Sequence, residues 1–160
     1  MSLAHNPRIV TNGLVLCLDA ANPKSYPGTG TTWADLSGNG NNGTNFNMTY
    51  STNVVGEFFF NNSSSVSTIP NSASLNPTTG LTIESWVNFS GNDNDFIFEK
   101  GNVNTQYSLF SHGSTLNDIM FRTYHEGDGS YHNFSVTKTT VGISMGNWYH
   151  IVGSWDGSTK

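Results

Sequence analysis

The segment from Asp35 to Gly40 carries the residues best suited to bind a metal ion. It places oxygen-bearing side chains at its first, third and fifth positions and glycine at its sixth, like the first half of an EF-hand calcium loop. The twelfth position is Phe46, where an EF-hand has a bidentate Glu, so a complete EF-hand is excluded. The predicted calcium ligands of a looser shell are Asp35, Ser37, Asn39 and Asn41. The alternative is that Asp35 caps a turn whose glycines adopt positive φ, without an ion.

A second candidate site surrounds the predicted turn at residues 127–129. Its candidate carbohydrate-binding residues are Tyr124, His125, Tyr131 and His132. Proteins bind sugars with aromatic faces, supplemented by amide or carboxylate partners for the hydroxyl groups. Because side chains alternate along a strand, only half of these four can share one face. The alternative is that the aromatic side chains pack in a core.

The sequence gives no sign of a catalytic arrangement. A glycosidase needs two carboxylates in one cleft, about 5 Å apart for retention or up to ~9 Å for inversion. Glu84 is the nearest strand carboxylate and has no second carboxylate beside it on its predicted face. The i, i+2 pairs Asp93 with Asp95 and Glu126 with Asp128 fall in predicted turns. There is also no Gly-x-Ser-x-Gly elbow or His-x-x-x-His spacing. We therefore expect a protein that is not an enzyme.

Charge and composition exclude further classes of function. Six Lys and Arg residues stand against eleven Asp and Glu residues, giving a net charge of -5, and no basic cluster occurs that could neutralise several phosphates. Nucleic acid is therefore not an expected partner. No window has the length and apolarity of a membrane span, and the first residues do not resemble a signal peptide. The single Cys17 lies in an apolar run and is expected to be a small buried hydrophobe.

Period-two alternation dominates the chain, and no amphipathic stretch of helical period competes with it. Strands are predicted at residues 14–18, 57–60, 65–69, 81–89, 95–99, 107–111, 118–125, 131–137 and 147–155. The glycine-broken stretch 23–47 is expected to be a long surface loop. Short strands separated by turn signals predict an all-β fold, a two-sheet antiparallel jelly-roll sandwich, over residues 13–160, preceded by an arm at 1–12.

Five segments, in order, resemble the LamG-like jelly rolls of the concanavalin A-like lectin/glucanase superfamily. They are residues 13–23, 33–43, 69–75, 81–87 and 148–157, including the Trp-Asp-Gly turn at 155–157. The glucanases of that superfamily carry a Glu-x-Asp-x-x-Glu run that this chain lacks, and the resemblance implies a structural role for Glu84. It also implies that a partner strand and closing strands follow 147–155, so we expect this strand to form an exposed edge of a C-terminally incomplete domain.

The opening at residues 26–38 looks most like versions found in virion proteins of tailed phages, notably marine phages. The resemblance implies a structural or adhesion module of a fibre, neck, decoration or tail appendage, with weak carbohydrate binding. Its expected partners are other virion proteins, copies of itself and a host-surface glycan, and its expected location is the virion. One alternative is a calcium-dependent carbohydrate-binding module of a bacterial surface or secreted protein. A more remote alternative is a glycoside hydrolase, because the fold includes such enzymes.

Overall fold

The computed structural model describes residues 10–52, 56–91, 94–101, 106–113, 117–125 and 129–157. The chain divides into two compact units, Met1–Pro77 and Thr78–Lys160. Every strand pair in the described residues is antiparallel, and these residues contain no α-helix. No helix in this part of the chain is long and apolar enough to cross a membrane. The predicted all-β, antiparallel architecture is confirmed. Most of the predicted arm at 1–12 lies outside the described residues.

The first unit is built from short strands and a 3-10 turn. Its described strands are β1 (Thr32–Trp33), β2 (Gly43–Phe46), β3 (Thr49–Ser51), β4 (Glu57–Phe59) and β5 (Val66–Thr68). β2 lies between β1 and β5, β3 pairs with β4, and the 3-10 turn spans Ala73–Leu75. Buried Tyr26 packs edge-on against Tyr50 and Phe58, with ring centroids 4.8 and 4.6 Å away. These aromatic contacts supply the local apolar packing that such short strands need.

Three expectations for the first unit are wrong. Residues 14–18 form no strand, because polar groups of the 35–41 loop bind their backbone instead of a neighbouring strand. The Cys17 N–H donates to Asp35 Oδ1 at 2.9 Å, and the Val15 carbonyl accepts from Asn41 Nδ2 at 2.7 Å. The Cys17 residue itself is half-buried rather than buried. The stretch 23–47, expected to be irregular, contains β1 and β2.

The second unit contains two sheets. Its described strands are β6 (Leu81–Asn88), β7 (Asp95–Lys100), β8 (Tyr107–His112), β9 (Asp118–His125), β10 (Ser130–Thr137) and β11 (Trp148–Trp155). One sheet has the order β10-β9-β8-β7, and β11 pairs with β6 in the other. All six strands lie within one or two residues of predicted strands. Their alternation of apolar and polar residues was strong enough to fix both type and position.

The core of the second unit lies between its two sheets. The buried members Phe89, Leu109, Ile119 and Phe121 pack against partly buried apolar side chains of both sheets. These are Leu81, Ile83, Val87, Ile97, Val136, Tyr149, Ile151 and Trp155, with Ile143 from the loop before β11. Because both sheets contribute to one cluster, the unit is a two-sheet sandwich. This confirms the architecture predicted for a concanavalin A-like jelly roll.

The β11 strand pairs with β6 along its full length, Trp148 opposite Asn88 and Trp155 opposite Leu81. In the described part of the chain it has no second neighbouring strand. That further strands follow it stays a prediction.

Candidate functional site

Tyr124 and Tyr131 lie directly opposite each other on β9 and β10. Their ring centroids are 5.1 Å apart and the ring planes are inclined by 58°. Leu109 and Phe121 face the core, so we call the opposite side of the sheet β10-β9-β8-β7 its outer face. The tyrosines lie on this outer face, since Tyr124 is an odd number of residues from Phe121. Tyr124 and Tyr131, two of the four predicted sugar-binding residues, are therefore neighbours on one face of the sheet.

The two predicted histidines do not share that arrangement. His132 lies opposite Thr123 and is one residue from Tyr131, so strand alternation places it on the other side of the sheet. The backbone of His125 belongs to β9, whereas its side chain lies outside the described residues. The tyrosine pair is thus the part of the predicted site that the hairpin assembles.

Arg122 is the principal residue of this face that sequence reasoning missed. Its guanidinium carbon lies 4.9 Å from the ring centroid of Phe110 and 5.2 Å from that of Tyr131. Both distances are within the range of cation–π attraction. Its Nε donates a hydrogen bond to Asn133 Oδ1 at 2.9 Å. Period-two alternation could have found Arg122 and Asn133, because each is two residues from one of the tyrosines.

The floor of the outer face is apolar. Phe110 and Met120 lie opposite each other on β8 and β9 and are 4% and 9% exposed. Phe96 of β7 lies beside Phe110, with ring centroids 5.1 Å apart, and remains half-exposed. The face therefore combines aromatic surface, one guanidinium and one amide, the groups that hold a sugar ring and its substituents.

Two carboxylates of the described strands lie on the outer face by register. Glu99 of β7 lies opposite Ser108, and Asp118 of β9 lies opposite His112. They are two strands and four residues apart, which places their Cα atoms about 16 Å from each other. Side chains on one face stand roughly perpendicular to the sheet, so the two carboxyl groups are also farther apart than the ~5–9.5 Å between the paired carboxyl groups of a glycosidase.

The sheet formed by β6 and β11 carries a second exposed aromatic surface on its side away from the core. Trp86 is 66% exposed and stacks on His150, with ring centroids 5.1 Å apart and planes inclined by 23°. Glu84 Oε2 lies 3.4 Å from His150 Nε2. This surface offers a stacking platform, but it lacks the held guanidinium and amide of the outer face.

The predicted calcium loop is organised by Asp35. Its Oδ1 accepts the backbone N–H groups of Cys17 and Ser37, both at 2.9 Å. Its Oδ2 accepts the Ser37 hydroxyl at 2.7 Å and the Asn41 N–H at 3.0 Å. Burial raises the pKa of Asp35, but the hydrogen bonds from Ser37, Cys17 and Asn41 outweigh it and lower the pKa below 3.8. Both oxygens therefore act as acceptors within the loop.

The other predicted ligands also bind protein groups. The Asn39 amide donates to the Leu14 carbonyl at 3.1 Å, and Asn41 Oδ1 accepts the Ser72 hydroxyl at 2.6 Å. No group of three or more His, Cys, Asp or Glu residues that could hold a metal ion occurs within the described ranges. The geometry favours the alternative in which Asp35 caps and ties down the loop, and calcium binding stays a prediction.

Comparison with known proteins gives one family. The model of a laminin G-type family, described as the concanavalin A-like lectin/glucanases superfamily, matches residues 60–160. Searches of curated proteins and of solved structures gave no significant match. The matched region includes the whole two-sheet sandwich with its tyrosine pair. The chain belongs to the concanavalin A-like lectin/glucanases superfamily.

Proposed function

We propose that this chain is a non-enzymatic carbohydrate-binding adhesion module, carried by a virion protein of a tailed phage. Membership of a superfamily of lectins and glucanases fits carbohydrate binding or adhesion. The observation that carries the proposal is the outer face, where Tyr124 and Tyr131 lie beside Arg122 and Asn133. A sugar ring stacks on the tyrosines while the guanidinium and the amide bind its polar substituents.

A non-enzymatic role is supported by the placement of the two carboxylates that the described strands contribute to that face. Glu99 and Asp118 are too far apart to act as an acid and a nucleophile on one glycosidic bond. Asp118 is also only 6% exposed, so it offers little to a substrate. A face that binds a sugar without such a pair holds its ligand and leaves it intact.

The virion assignment is supported by the resemblance of residues 26–38 to phage virion proteins and by the weakly charged surface composition. In this proposal the module is displayed on a fibre, neck, decoration or tail appendage. Its partners are other virion proteins or further copies of itself, and its ligand is a glycan of the host surface. Mass spectrometry of purified phage particles tests whether the chain is a virion component. A gene for this chain that lies in a bacterial operon, with no phage structural genes beside it, would contradict the assignment.

The binding site is tested by glycan-array and affinity-gel measurements on the whole chain. Tyr131→Ala and Tyr124→Ala should each weaken binding about tenfold, which corresponds to about 1.4 kcal/mol of lost contact energy. Trp86→Ala is the matched control, because it removes an exposed aromatic side chain from the other sheet. If Trp86→Ala loses glycan binding and Tyr131→Ala keeps it, the glycan binds the sheet of β6 and β11, and the proposed site on the outer face is wrong. A native chain that binds no glycan would overturn the function.

A further inference from the structure

The guanidinium of Arg122 is held in place, and among the described residues it contacts no anionic group. Two aromatic rings flank it, and its Nε is bound to Asn133 Oδ1. Its Nη2 makes one weak contact, 3.9 Å from Met120 Sδ. No oxygen among the described residues accepts a hydrogen bond from either terminal nitrogen. Several strong donors of a charged group therefore remain available on a partly exposed face.

Within the part of the chain that the structure describes, no carboxylate forms an ion pair with this cation. The acidic residues that register places on the outer face, counted over the described strands, are Glu99 and Asp118. The Glu99 Cα atom is two strands away from that of Arg122, a distance of about 10 Å. The Asp118 Cα atom is four residues away along β9, a distance of about 13 Å. Arg122 and Lys100 are the Lys and Arg residues within the described strands of this sheet. Lys100 lies opposite Tyr107, which is on the core side, so Arg122 is the one on the outer face. A protein with a net charge of -5 thus presents a localised positive group beside its tyrosine pair.

A guanidinium fixed in this way is suited to one class of ligand. Its planar N–H donors match the two oxygens of a carboxylate or sulfate, and the aromatic contacts and the Asn133 bond orient it before binding. Neutral hydroxyl groups do not need such a fixed charge.

We infer that the outer face binds an anionic polysaccharide, with a sugar ring on Tyr131 and the carboxylate or sulfate of that sugar on the terminal nitrogens of Arg122. This inference rests on the proposed carbohydrate-binding function and adds the class of sugar. The Asn133 amide nitrogen, which has no partner among the described residues, donates to a neighbouring hydroxyl of the same sugar.

The test compares charged and neutral forms of the same polymers. Polygalacturonate is measured against its methyl-esterified form, and dextran sulfate against dextran, by calorimetry or affinity gel at fixed salt. The native chain should bind at least one charged polymer tenfold or more tightly than its neutral form. The polygalacturonate and dextran sulfate arms distinguish a carboxylate from a sulfate ligand.

Three substitutions assign the effect to Arg122. Arg122→Gln should remove the preference for the charged polymer, and Arg122→Lys should keep only part of it, because Lys lacks the planar fork. Asn133→Asp retains an acceptor for the Arg122 Nε but adds a negative charge. It should therefore weaken binding of the charged polymer at least tenfold and binding of the neutral polymer far less. Lys24→Gln, which removes an exposed charge from the other unit, is the control and should change nothing.

Each outcome decides the inference. Equal binding of charged and neutral polymers overturns the anionic class but leaves the proposed function intact. If Lys24→Gln and Arg122→Gln lose the same amount of affinity for the charged polymer, the polymer is held by non-specific charge attraction, and the anionic class is again overturned. A native chain that binds none of the four polymers and no arrayed glycan overturns both proposals. If Arg122→Gln unfolds by circular dichroism, the Asn133→Asp comparison decides alone.

Discussion

Gly153 of β11 lies directly against the ring of Phe121 on β9. A Cβ atom at position 153 would lie 2.6 Å from Phe121 Cδ2 and 2.8 Å from Cγ. Phe121 is 4% exposed and belongs to the core of the second unit. The ring of Phe121 therefore fills the space that a side chain at position 153 would need, and the glycine is required by packing rather than by backbone conformation.

Gly153→Ala should lower the free energy of unfolding by about 1–3 kcal/mol. The added methyl group collides with the ring of Phe121, and core overpacking of this kind typically costs that amount. Urea denaturation followed by tryptophan fluorescence measures the change. Ser154→Ala, whose hydroxyl makes an exposed hydrogen bond to Thr82, is the control and should change stability by less than about 1 kcal/mol. Equal effects of the two substitutions would show that the sheets do not meet at Gly153.

The sequence predicted the second unit well, because its strands are long and alternate clearly. Residues 81–88 alternate between half-buried and exposed side chains along the whole of β6. Such a pattern fixes both the presence of a strand and the side that faces the core. Tyr124 and Tyr131 were found for the same reason, since they flank a hairpin turn.

The first unit was predicted poorly, because its structure depends on contacts distant in sequence. Residues 14–18 alternate like a strand, yet the polar groups of Asp35 and Asn41 bind their backbone. The β2 strand, with the sequence Gly-Thr-Asn-Phe, is too short and polar to give a pattern. Alternation could have placed Arg122 on the face of Tyr124, but its contact with Phe110 joins two strands, and single-strand alternation carries no information on such pairs.

Asp35→Asn should lower the free energy of unfolding by about 1–2 kcal/mol at neutral pH. An amide cannot accept all four hydrogen bonds that the carboxylate receives, and unsatisfied N–H groups of the loop carry a cost of that size. The pKa of Asp35 is lowered in the folded state, so its stabilisation is present above pH ~4 and is lost as the pH falls through the folded-state pKa. Thermal denaturation of both proteins between pH 7 and pH 3 measures this difference.

Asp95→Asn is the control for the loop substitution. Asp95 is exposed, and its carboxylate makes no hydrogen bond to another described residue. Its replacement should therefore leave unchanged the loss of stability between pH 7 and pH 3. The same measurement with and without calcium examines the metal prediction. A melting temperature that rises with calcium in the native chain but not in Asp35→Asn would establish an ion site and contradict a purely structural loop.

Alkaline pH should destabilise the second unit through Tyr107. Burial raises the pKa of Tyr107 to about 12, whereas an unfolded tyrosine ionises near pH ~10. Between these values the unfolded chain loses a proton that the folded chain keeps, so the free energy of unfolding falls as the pH rises from ~10 toward 12. Tyr107→Phe should flatten this alkaline limb, as measured by urea denaturation at several pH values. Phe98→Leu disturbs the ring stacked on Tyr107 without removing the phenol, so it should lower stability and keep the slope. An unchanged slope in Tyr107→Phe would mean that Tyr107 ionises as easily in the fold as in the unfolded chain.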